Sequence, residues 1–171
     1  MAQFTFAHTV EVMQRLRSGE FEIATKIDEW TLSVPAKTQY LLTPDNLPTD
    51  ETRPIEQFFP NPQAVALKDF SLDHVFGDLT RGASGRAVMS VTGRQQKIEV
   101  AFGLKYPVVV LFSSKGAGRG GGPPRSFVCS EPMTGITDTI NLAHKGLYKD
   151  LQTIAPGATW QESFWIRPSG F

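Results

Sequence analysis

Cysteine occurs once, at Cys129, which rules out an internal disulfide and any cysteine-rich zinc site and suits a reducing compartment. An excess of either charge is missing as well, because 17 lysines and arginines balance 17 aspartates and glutamates. Such a chain casts no broad field to recruit nucleic acid or an anionic membrane, so neither partner is expected and a neutral ligand held by local contacts fits better. No apolar run approaches the roughly 18 residues of a membrane-spanning helix. The opening Met1-Ala2-Gln3-Phe4-Thr5-Phe6 lacks the basic start and apolar stretch of an export signal, and no Asn-x-Ser/Thr glycosylation site occurs. These absences predict a soluble, cytoplasmic protein.

What is present is strand periodicity. Apolar residues alternate at Phe21, Ile23 and Ile27, at Trp30, Leu32 and Val34, at Ile98, Val100 and Phe102, and again at Trp160, Phe164 and Ile166. The pattern predicts an all-β chain. Its 171 residues suffice for one domain, residues 1–171, without help from a metal or disulfide. Ser18-Gly19, Thr92-Gly93-Arg94 and Ala155-Pro156-Gly157 read as turns. Val108 to Phe112 is apolar without alternation, as expected of a central strand covered on both faces. From Thr43 to Asp69, prolines at 44, 48, 54, 60 and 62 predict a long structured loop in which no regular ladder persists. One helical turn is expected between Asn141 and Leu151.

Glu131 is the first candidate for chemistry. It ends the apolar run Phe127-Val128-Cys129-Ser130 and precedes Pro132, which pushes it into extended geometry and denies the ladder an amide, so it is expected at a strand end. Asp73, within Phe70-Ser71-Leu72-Asp73-His74-Val75-Phe76, is the second acid in apolar company. Apolar walls disfavour the charged carboxylate and move its pKa toward the range of a general base, although most such acids are solvated strand ends. A proton donor would come from His8, His74 or His144, and strand alternation points His74 away from Asp73. No His/Asp/Glu spacing suggests a metal site, and no cofactor is expected. Gly116-Ala117-Gly118-Arg119-Gly120-Gly121 satisfies a dinucleotide fingerprint, but Pro123-Pro124 follows where a helix should begin, so a connector between strands is the better reading. Arg119 and Arg125 in that connector are too few for a phosphate site.

Several motifs occur in a telling order: Leu72-Asp73-His74-Val75-Phe76-Gly77-Asp78-Leu79, Glu131-Pro132-Met133-Thr134-Gly135, Asn141-Leu142, and Pro156-Gly157 through Trp160 to Ile166. Together they resemble the C-terminal portion of the aldose 1-epimerases, the galactose mutarotase-like family, and the likeness extends back over residues 4–27 and 29–54. It implies a truncated antiparallel β-sandwich, the mutarotase supersandwich, holding a monosaccharide of the aldohexose class in a groove on one sheet. In that family the glutamate matching Glu131 removes the anomeric hydroxyl proton, a histidine protonates the ring oxygen, and the opened ring closes on its other face. The aspartate matching Asp73 binds sugar hydroxyls. The implied activity is an isomerase of carbohydrate metabolism that interconverts α and β anomers.

Two departures accompany the likeness. The family's acid histidine lies in a His-Pro-Tyr-Phe segment, whereas Lys26-Ile27-Asp28-Glu29-Trp30 here joins two strands directly. The chain also begins where the family is already partway through, which is expected to leave strand edges uncovered and to favour self-association. His74 and His144 become the candidate substitute acids, with a loss of about 10²-fold or more expected without the usual one. The leading expectation is an aldose 1-epimerase-like protein with weak or absent turnover. The alternatives are a non-catalytic carbohydrate-binding or partner-binding β-sandwich module and an inert gene fragment.

Overall fold

The computed structural model describes residues 30–45, 47–114, 117–118, 122–124 and 127–170. His8, Arg119, Arg125, the turn at 18–19 and the alternation before position 28 lie outside the described residues. In chain order the strands are β1 (Thr31–Ser33), β2 (Thr38–Leu42), β3 (Pro48–Pro54), β4 (Val65–Ala66), β5 (Asp73–Gly77), β6 (Ala87–Thr92), β7 (Lys97–Phe102), β8 (Val108–Ser114), β9 (Ala117–Gly118), β10 (Gly122–Pro124), β11 (Phe127–Met133) and β12 (Phe164–Ser169). Among the described residues one short α-helix, α1 (Thr139–His144), lies between the last two strands. Two five-stranded sheets result, ordered β12-β7-β6-β1-β4 and β11-β8-β5-β2-β3. Every pairing in them is antiparallel.

Alternation packs the sheets against each other. Leu32, Met89 and Phe102 of the first sheet meet Phe76, Val109 and Leu111 of the second in one core, which Ile55, Phe59 and Leu67 complete. Burying each such side chain is worth about 1.5–3 kcal/mol relative to exposure. The second sheet is covered on its outer face too, where Val75 and Val108 pack with Ile136, Leu142 and Tyr148. Val109 and Leu111 thus face the core while Val108 and Val110 face the outer cluster, which is why the run from Val108 is apolar at every position. The strand is interior, as expected, with β5 and β11 on either side.

Residues 43–69 correct the expectation of a loop without ladders. They contain β3, which pairs with β2 from Thr38↔Pro54 to Leu42↔Pro48 through an irregularity after Tyr40. The physical reason is position: Pro48, Pro54, Pro132 and Pro168 all lie in edge strands, where a missing amide can face away from the single partner. Glu131 is likewise not a strand end, because β11 continues through Pro132↔Val109 and Met133↔Val108. The last strand starts later than alternation suggests, at Phe164, because Glu162 turns back and accepts hydrogens from the amides of Lys105 at 2.6 Å and Ser163 at 2.8 Å. The glycine-rich connector pairs Gly122 with Gly118 in an antiparallel ladder, and the next described element after β10 is the strand β11.

Candidate functional site

Sheet register brings the two carboxylates to one face. Val75, Val110 and Glu131 form one cross-strand row on β5, β8 and β11, and Asp73, Phe112 and Cys129 form the next. Val75 and Val110 belong to the outer cluster, so Glu131 and Asp73 also look outward, away from the core. Both are exposed. Two strand spacings and two residues of rise put their Cα atoms about 11–12 Å apart, a gap that a pyranose ring and two side chains together bridge.

His74 takes the other face. Its ring lies 4.5 Å from that of Phe58 and 6.4 Å from that of Phe76, on the core side of β5. The Asp73 amide donates to Nδ1 at 3.0 Å, so the neutral ring carries its proton on Nε2. Burial holds the imidazole below its ordinary range, and the Arg53 charge adds to that while Asp73 opposes it. The sheet therefore separates His74 from Glu131. His144 ends α1 and is exposed. Among the described residues no three His, Cys, Asp or Glu side chains gather closely enough to hold a metal ion.

No local pattern in the chain singles out Gln39 and Arg53. These two are cross-strand partners on β2 and β3, and Gln39 also pairs with Phe76 of β5, which puts them on the core side of the sheet. The Arg53 Nε donates to the Gln39 Oε1 at 2.7 Å, and the guanidinium carbon lies 5.5 Å above the Phe58 ring. Pairing of β2 with β5 stops at Gln39↔Phe76 although β2 continues to Leu42. The strands part there and leave a cleft of about 540 Å³ lined by Gln39, Leu41, Thr43, Arg53, Asp73 and His74, among others. A second cleft, also about 540 Å³, lies between Leu104 and Trp160 and includes none of the candidate acids or histidines.

Solved structures share this architecture. A galactose mutarotase-like protein from Clostridium acetobutylicum superposes with a TM-score of 0.67 at 15% identity, over 86% of this chain and 43% of that one. A GalM/aldose epimerase homologue from C. elegans, 17% identical, gives 0.49 over 63% of this chain and 37% of its own. The sequence matches no protein-family model and no curated protein. The chain is an all-β protein of the antiparallel sandwich class, with acidic residues on the outer face of one sheet. More particularly, its fold is galactose mutarotase-like, and it spans less than half the length of the solved protein it matches at 43% coverage.

Proposed function

We propose that the outer face of the second sheet binds an aldose, with Asp73 accepting from its hydroxyls and Glu131 acting as the base in slow anomer interconversion. The observation that carries this reading is the shared face: two carboxylates of different strands stand in successive rows of β5, β8 and β11. The base removes the anomeric hydroxyl proton and the ring opens as its oxygen is protonated. His144 is the remaining described candidate for that acid, and water is the alternative donor. The reading treats residues 1–171 as one such domain, acting in the cytoplasm, and includes self-association through strand edges. Proton transfer by a positioned base is worth about 10²–10⁴-fold. Following the optical rotation of fresh α-D-glucose and α-D-galactose should show a rate above buffer that Glu131→Gln abolishes. Equal rates for wild type, variant and buffer would remove the catalytic role.

The position of His74 favours a second reading, a carbohydrate-binding module without turnover, since that histidine lies across the sheet from the base. It expects saturable sugar-dependent NMR shifts around Asp73 with no rate enhancement. A flat titration would end it.

A further inference from the structure

The cleft between β2 and β5 contains a cation that the aldose reading does not use. Arg53 is half-buried at the sheet edge, and the ion pairs among the described residues, Lys97–Glu99 and Arg167–Glu99, do not include it. Its Nε is taken by Gln39, a side chain only 2% exposed, and its flat face is turned to Phe58. Burying an amide to aim a guanidinium leaves the two Nη groups in a fixed fork, which matches the two oxygens of a carboxylate. His74 lines the same cleft and, with Nδ1 already accepting from the Asp73 amide, offers Nε2–H as a second donor. Thr43 and Ser71 add hydroxyls to the lining.

We propose that this cleft is a binding site for a small hydroxylated monoanion of the sugar-acid class, whose carboxylate is held by Arg53 and His74 and whose hydroxyls meet Thr43, Ser71 and Asp73. Charge selects the monoanion. The lining carries one arginine and one aspartate and so is neutral without a ligand; a dianionic phosphate would add two charges beside Asp73, whereas a carboxylate adds one and presents the two oxygens that the Arg53 fork matches. A neutral polyol would leave the guanidinium unmatched, and sites built for a charged partner discriminate against analogues that lack it.

The test follows the His74 Cε1–H resonance of the whole chain during titration with sodium D-gluconate, with D-glucitol and inorganic phosphate in parallel. Gluconate should shift it saturably, glucitol and phosphate at least tenfold more weakly, and Arg53→Gln should weaken gluconate at least tenfold, with Arg53→Lys between. The comparison with glucitol needs no variant, so it decides even if Arg53→Gln fails to fold. Equal responses to gluconate and glucitol, displacement by phosphate at equal concentration, or an unchanged titration in a folded Arg53→Gln would each overturn the proposal. Glu131→Gln should leave the gluconate titration intact, which separates this site from the catalytic reading.

Discussion

His74 shows how the surroundings of a single side chain set a pH response. The folded chain lowers its pKa through burial, so the unfolded chain, near the ordinary value of 6.5, takes up the proton more readily. Protonation therefore favours unfolding: the stabilising contribution is complete above about pH 6.5 and is lost as the pH falls from there through the lower folded value. Urea midpoints measured from about pH 7.5 to 5.5 should decline in the wild type and decline less in His74→Gln. Parallel declines would show that the ring is not desolvated as described. Alternation along Leu72-Asp73-His74-Val75 already placed the imidazole opposite Asp73, so this much was legible. The pairing of Arg53 with Gln39, 14 residues apart, was not, because cross-strand register depends on where β3 folds back and not on any local pattern.

At the level of elements, the segment from Ile136 to Tyr148 acts as a cover on the outer face of the second sheet. Leu142 of α1 and Tyr148 pack on Val75 and Val108, while Tyr148 itself is 7% exposed. Burial pushes its phenol up to about 12, with the neighbouring Tyr40 and Asp150 adding to the shift. The hydroxyl lies near the backbone of Ile136, which partly offsets that shift, without closing a well-formed hydrogen bond. Tyr148→Phe should therefore change stability by less than about 1 kcal/mol, because it removes a poorly satisfied group and no packing. Tyr148→Ala should cost about 3–5 kcal/mol by opening a cavity under the helix. Urea denaturation of both variants checks the contrast, and a large loss in Tyr148→Phe would mean that the hydroxyl is bonded after all. The unbroken run from Val108 announced a strand covered on both faces, but nothing local announced which segment supplies the outer cover. Proline misled in the opposite direction: at 48, 54 and 132 it signals an edge strand as readily as a loop, and only the partner strand decides between them.

For the molecule as a whole, the consequential feature is the rim of the first sheet. Phe164 and Ile166 of β12 continue the core-facing rows of Phe102–Ala87 and Val100–Met89, yet they are 43% and 49% exposed. Core-type residues thus extend beyond what the second sheet covers. The amide of Gly103 donates to the Ser163 carbonyl at 3.1 Å, which sets the backbone of Trp165, Arg167 and Ser169 toward β7 and that of Phe164 and Ile166 toward the edge that no strand among the described residues covers. Pro168 has no amide to offer on that edge, so pairing is confined to the aromatic end of the strand. An antiparallel match of Phe164 with Ile166 of a second copy, and the reverse, satisfies both sets of backbone groups about a two-fold axis at Trp165. Sedimentation velocity over a range of concentrations should reveal a monomer–dimer equilibrium in the wild type. Replacing Phe164 and Ile166 together by lysine should shift it to monomer, since facing charges and lost apolar contact both oppose the pairing. A wild type that remains monomeric throughout, or a double variant that dimerises equally well, would show that this edge is not where copies meet.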